Sequence, residues 1–329
     1  GGNYLENSQN YGIAHLLEHL LMSSSKHCKK NLCETYLNKY GIKSNASTHD
    51  MYTNYWALGL PEYKNEILNF VTSIILDPKI TKKILEREKN AVKHELESLL
   101  NDPDTKFYKE IYKNFYKPKP YKNSVDYKKQ IKLLKNIDMD MINSYLNKTR
   151  LKNCFMFTIS GNFNKKEIVD YFNKLKIQHS DNKCKLDKIK NISECYTLNK
   201  KTLYVRDEKA TSTKIVISYP IDIKIGNKYG LYLPFLNNLL TGGLNSILLK
   251  RLRLELNLVY GIRSTHETNL CGTVVNIETS TDNNNVKKVI KEIFRLINYY
   301  IKEVIPKRSI EEQKINYRLN LTKMCKNNP

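Results

Sequence analysis

His15-Leu16-Leu17-Glu18-His19 holds the side chains of this chain best suited to chemistry. On a helix, two imidazoles at i and i+4 share a face and can reach one metal ion about 2.0–2.1 Å from each nitrogen. A glutamate three residues after the first histidine lies beside such an ion without having to ligate it. From there it can take the proton of a metal-bound water. The neighbouring residues supply the helix, since steps of about 100° put Ile13, Leu16, Leu17, Leu20 and Leu21 on one side and His15, Glu18 and His19 on the other. The alternative is a surface helix with unrelated polar residues.

A metal site needs a third ligand, and a second helical segment offers one. Leu85, Glu88, Val92, Glu95 and Leu99 advance by three and four residues in turn, which makes a single stripe. Two carboxylates therefore fall inside an apolar face. Burying a carboxylate costs several kcal/mol unless it is paired or metal-bound. The alternative is an exposed, charge-rich helix, with Glu86, Lys89, Lys93 and Glu97 on its other faces.

These segments sit in a chain of ordinary globular composition. Of the 329 residues, 40% are hydrophobic and 27% charged, which excludes disordered, collagen-like and disulfide-scaffold classes. No apolar run is long enough for a membrane span. The net charge of +22 follows from 55 Lys and Arg against 33 Asp and Glu. Lys, Asn, Ile and Tyr are enriched along the whole chain, which reads as compositional drift rather than a local basic patch. The densest basic stretch, Lys106 to Lys135, alternates Lys with Tyr and Phe and matches no nucleic-acid module, so no specific nucleic-acid partner is expected. The seven cysteines are scattered without a C-x-x-C, which points to free thiols in a reducing compartment: cytoplasm, organelle matrix or virus and host cytoplasm. Cys28 and Cys33 are given no role.

The elements that must position the candidate residues alternate between helix and strand. Helices are expected at 11–24, 34–40, 62–76, 84–100, 164–175, 229–240, 246–256 and 286–304. Strands are expected at 53–60, 153–160, 201–205, 213–219 and 273–279. The polar stretch 178–200 reads as a linker between a first domain, 1–177, and a second, 201–329. The mixture favours an α+β fold.

The combination of H-x-x-E-H with Glu86-Arg87-Glu88 and Glu95, 76 positions after His19, resembles the inverzincin zinc metallopeptidases of the pitrilysin/insulinase type, the mitochondrial processing peptidase-like family. Tyr11-Gly12-Ile13-Ala14-His15 resembles that family's lead-in to its first histidine. Gly41 to Thr48 resembles its G-x-x-x-N-A-x-T, and Ile159 to Phe163 its domain-closing G-D/N-F. Gly242-Gly243, Leu252-Arg253 and Leu258-Val259-Tyr260 resemble its G-G…L-R…x-x-Y. Two departures stand out: Leu16 follows the first histidine where Phe is usual, and Ser23-Ser24-Ser25 replaces a Gly-Thr.

The resemblance implies two related domains, each a mostly antiparallel sheet flanked by helices. It implies Zn2+ held by His15, His19 and Glu95, Glu18 as general base, and Glu88 as support for the site. Asn45 and Ala46 would lie on an edge strand that pairs with the substrate backbone. Arg253 and Tyr260 would stabilise the oxyanion. The activity implied is endopeptidase cleavage of extended peptides or unfolded protein segments, by a homo- or heterodimer of related chains whose sites are completed in trans. Relative to the family, the opening strands before Gly1 and the end of the second domain after Pro329 are missing. Two other readings stay open: an inactive family member acting as an assembly subunit, and a basic nucleic-acid-binding protein with an accidental H-x-x-E-H.

Overall fold

A computed structural model describes residues 2–23, 25–26, 28, 33–49, 51–115, 126–149, 156–175, 202–205, 208, 210–268, 272–303 and 305–327. These fall into two compact units. One holds the described residues up to 175 together with 202–203, and the other those from 204 onward. The expected linker, 178–200, lies outside the described residues, as does the middle of the basic stretch at 116–125.

The first unit is helices around a two-stranded sheet. α1 (Ile13–Ser23) and α2 (Cys33–Asn38) lead to β1 (Lys43–Thr48) and β2 (Thr53–Leu58). These strands pair antiparallel from Lys43↔Leu58 to Thr48↔Thr53. The long helices α3 (Lys64–Leu76) and α4 (Lys82–Asn101) follow, then α5 (Pro103–Phe115), α6 (Tyr127–Leu134), α7 (Met139–Thr149) and α8 (Lys165–Lys174). The Thr81 hydroxyl accepts from the Ile84 N–H and caps α4, satisfying one of the donors that every helix start leaves unpaired. α1 has the face separation its spacing predicts. Ile13, Ala14, Leu16, Leu17, Leu20 and Leu21 are buried in a core shared with Phe70, Ile74, Leu85, Val92, Leu96 and Ile142.

The second unit contains a three-stranded antiparallel sheet in the order β3 (Thr213–Ile221), β5 (Thr273–Thr281), β4 (Ile262–Thr268). α9 (Leu233–Thr241) packs on β4. α10 (Ile247–Leu249) continues as a π turn over Lys250–Glu255, and α11 (Val286–Lys302) and α12 (Lys307–Asn327) complete the unit. Its core gathers Ile215, Leu248, Leu252, Ile277, Val289 and Ile293. The architecture is α+β with small antiparallel sheets, and no described helix is long and apolar enough to cross a membrane.

Several expectations are corrected. Of the expected strand 153–160, residues 156–160 are described and form no ladder, and neither do 202–205. A strand exists only through hydrogen bonds to a neighbour, and neither described segment joins one of the two sheets. β4 went unrecognised because Ile262-Arg263-Ser264-Thr265-His266-Glu267-Thr268 is almost wholly polar. It is held instead by its ladder to β5. Cys28 and Cys33 are joined in a disulfide rather than being free thiols, with their Cα atoms 5.1 Å apart. Glu95 is 46% exposed rather than inside an apolar stripe, because the buried face runs through Leu85, Glu88, Val92 and Leu96 and leaves Glu95 at its border.

Two predictions follow from this packing. Leu20 is fully buried on the back of α1. Leu20→Ala should cost about 2–5 kcal/mol in urea unfolding, through lost transfer energy and the cavity left behind. In the second unit Glu292 accepts from Arg251 at 2.6 Å and from Arg295 at 2.7 Å. The Arg295 bond, opposed by burial and reinforced by Arg251, holds its carboxyl down at about 2. A depressed carboxyl stabilises the fold above its unfolded value of about 4.3 and loses that contribution as pH falls toward the folded value. Glu292→Gln should therefore lower the urea midpoint at neutral pH, and its difference from the parent protein should shrink as pH falls from about 5 toward 2.

Candidate metal centre

α1 and α4 pack against each other through their apolar stripes, which sets their polar edges side by side. At that edge, Oε2 of Glu95 lies 3.5 Å from Nε2 of His15 and 3.4 Å from Nε2 of His19. Donors arranged tetrahedrally about an ion at about 2.0–2.1 Å stand about 3.3–3.4 Å from one another. The two carboxylate–imidazole spacings therefore suit a zinc ion, as do the charge and donor types of the three groups. The imidazoles meet edge to face with centroids 4.9 Å apart. The donor atoms of His15, Glu18 and His19 all lie within 4.8 Å of one another. Glu95 reaches the histidines because it sits at the border of the stripe, and the exposure that removes it from the core is what opens the site to solvent.

Around this triangle the side chains are held in turn. Oε2 of Glu88 lies 3.4 Å from Nδ1 of His19, on the ring edge away from Glu95. Glu88 also accepts from the Ser23 hydroxyl at 2.7 Å and from Nε of Arg87 at 2.8 Å. Burial pushes the Glu88 carboxyl up, but His19, Ser23 and Arg87 together outweigh it and hold it at about 2. The carboxylate is thus ionised and fixes the His19 ring with its Nε2 toward Glu95. Burial also depresses His15, outweighing the pull of Glu95, which favours the neutral imidazole a metal requires. For His19 burial acts the same way, but Glu88, Glu95 and Glu18 overcome it and raise the ring above its ordinary value.

Glu18 is positioned from the sheet. The hydroxyl of Thr48, the last residue of β1, donates to its Oε2 at 2.5 Å. The phenol of Tyr55 on β2 is pushed up by burial, with the negative charge of Glu18 adding to the effect. Asn45 and Ala46 lie on β1, where the Asn45 side chain accepts from the Ala46 N–H at 2.8 Å. β1 pairs with β2 along one edge, and no described strand occupies its other edge.

Arg253 and Tyr260 form a pair of their own in the second unit. The π turn carries Arg253, and Asn257 takes a left-handed conformation with φ of 48°. The chain then folds back, closed by the Leu258 N–H donating to the Leu252 carbonyl at 2.8 Å. The guanidinium comes to rest 4.8 Å from the centroid of the Tyr260 ring.

Sequence reasoning gathered His15, Glu18, His19, Glu88 and Glu95 but gave no role to Thr48, Ser23 or Arg87. Ser23 lies one helical turn after His19, and Arg87 directly precedes Glu88, so both positions were open to a search along α1 and α4. Thr48 closes the G-x-x-x-N-A-x-T resemblance, but its contact with Glu18 could not be read there, because it depends on how β1 crosses α1.

A helix bearing two histidines and a glutamate, met by a distal glutamate on an α+β scaffold, makes this chain zinc-protease-like. Residues 1–129 match the family model for insulinase (peptidase family M16), and residues 136–317 match that for the peptidase M16 inactive domain. The chain belongs to peptidase family M16. The name of the second module suits its residues, since 136–317 contain no H-x-x-E-H. An uncharacterized zinc protease of Rickettsia felis is 23% identical over 293 residues, which cover 89% of this chain and 69% of that protein. The mitochondrial-processing peptidase subunit beta of Caenorhabditis elegans is 23% identical over 184 residues, covering 55% of this chain and 39% of that subunit. Among solved structures, a protease from Helicobacter pylori superposes with a TM-score of 0.75 at 17% identity, covering 98% of this chain and 78% of that one. Pitrilysin does so at 0.68 and 18% identity, covering 94% of this chain and 34% of its own. Both likenesses are of fold.

The geometry around His19 gives a prediction. Glu88→Gln keeps the shape of the side chain and removes the charge facing His19 and Arg87. Zinc affinity, measured by chelator competition, should fall about 10–100-fold.

Proposed function

We propose that this chain is a zinc-dependent endopeptidase acting on extended peptides or unfolded protein segments. The reading is carried by the donor triangle of His15, His19 and Glu95, with sides of 3.5 and 3.4 Å at the carboxylate. Zinc held there would supply Lewis acidity, lowering the pKa of a water and polarising a peptide carbonyl. Glu18, steadied by Thr48 beside the two histidines, takes the proton of the attacking water and passes it to the departing amine. Glu88 keeps the His19 ring in place. The substrate backbone adds to the open edge of β1 at Asn45 and Ala46, a mode that selects extended chains.

Arg253 and Tyr260 stabilise the developing oxyanion. Tyr260 is 87% exposed beside the guanidinium, so both groups are accessible to a substrate. In the family this resemblance points to, such a pair faces the metal across a clamshell of four domains. We therefore propose a homo- or heterodimer of related chains, consistent with the subunit status of the mitochondrial-processing peptidase relative. An inactive assembly subunit is the rival reading, and metal content together with cleavage separates the two.

Protein purified without added metal should carry about one zinc per chain, and His19→Ala should lose it. Glu18→Gln should retain zinc while peptide cleavage falls by about 10²–10⁴-fold. Folded wild-type protein without zinc would overturn the peptidase reading. Zinc without cleavage by any dimer would favour the assembly subunit.

A further inference from the structure

The start of α1 is held by a residue outside the zinc-protease motif. The first N–H groups of a helix have no intrahelical acceptor. Here Glu6 takes two N–H groups at once: its Oε2 accepts from Gly12 at 3.0 Å and its Oε1 from Ala14 at 2.9 Å. A carboxylate at this end is also favoured by the helix dipole. Gly12 has a φ of +90°, a conformation that side-chain-bearing residues rarely adopt, and it lets the preceding segment turn back over the helix.

That segment is itself anchored to the rest of the site. The Asn3 N–H donates to the carbonyl of His49, next to Thr48, at 3.1 Å. The buried Tyr145 hydroxyl donates to the Gly2 carbonyl at 2.9 Å. One short stretch of chain thus ties the β1 end that steadies Glu18 to the first turn of α1. His15 is the residue immediately after Ala14.

We propose that Glu6 is a positioning residue for the metal centre: its two-pronged hold on Gly12 and Ala14 fixes the first turn of α1, and with it the direction of His15 toward His19 and Glu95. This rests on the reading of those three residues as zinc ligands. His19, one turn further into the helix, is braced independently by Glu88, so loss of the Glu6 clamp falls mainly on His15.

The test compares wild-type protein with Glu6→Gln, which keeps volume and one acceptor but presents an amide donor to the second N–H. Zinc affinity is read by chelator competition. The visible spectrum of the Co2+-loaded protein reports coordination geometry, and melting of the metal-free protein reports stability. We expect zinc affinity to fall about 10–100-fold, as for loss of an outer-shell partner, with an altered Co2+ spectrum. Unchanged zinc affinity and Co2+ spectrum, with only the melting temperature lowered, would make Glu6 a purely structural cap and overturn the proposal. Should Glu6→Gln fail to fold, Glu6→Asp, which keeps the charge but is one methylene short of spanning both N–H groups, carries the same comparison with the same expected weakening. Wild-type protein that binds no zinc would defeat the metal reading itself. Wild-type binding with an unaffected variant would defeat this inference alone.

Discussion

Burial of one face of α1 governs the first unit. Ile13, Leu16 and Leu20 are fully enclosed, and the helix cannot rotate without exposing them. At about 1.5–3 kcal/mol for each large apolar side chain, such a rotation is prohibitive for a fold stabilised by only about 5–15 kcal/mol in all. The opposite face is therefore fixed as well. His15, Glu18 and His19 point where they do because their neighbours at the intervening positions are in the core.

The same packing brings α4 alongside and sets the electrostatics. Polar groups at a half-buried helix contact must be paired, and each here has a partner on another element. Glu88 gathers Ser23, Arg87 and His19, while Glu95 faces both imidazoles from the open side. Depth separates the two carboxylates. Glu88 is buried and strongly bonded, which suits it to orient a ring. Glu95 is half-exposed and lies equally close to both histidines, which suits it to share an ion with them. Glu18 differs again, since its partner Thr48 comes from a strand and not from a helix.

The second unit works by a different local device. A π turn and a left-handed asparagine replace regular helix, and the fold-back they produce stacks Arg253 on Tyr260. Irregular backbone of this kind costs stability and persists where surrounding packing enforces it. Leu248, Leu252 and Leu258 supply that packing.

The amino-acid sequence by itself determined the two helices that matter, the apolar face of α1 and the identity of the five polar residues at their junction, because 3.6-residue periodicity is a local property that needs no partner. It also marked the break at Gly242-Gly243 and, through resemblance, the strand containing Asn45. It left β4 unseen because that strand's polar residues have no alternation to read, and it read strands into 153–160 and 201–205, whose described parts, 156–160 and 202–205, join no ladder. Only the tertiary structure decided the exposure of Glu95, the joining of Cys28 to Cys33, the grip of Thr48 on Glu18 and that of Glu6 on the start of α1. Each of these depends on the distance between atoms of separate segments, which is set when the core closes and not by the spacing of residues along the chain.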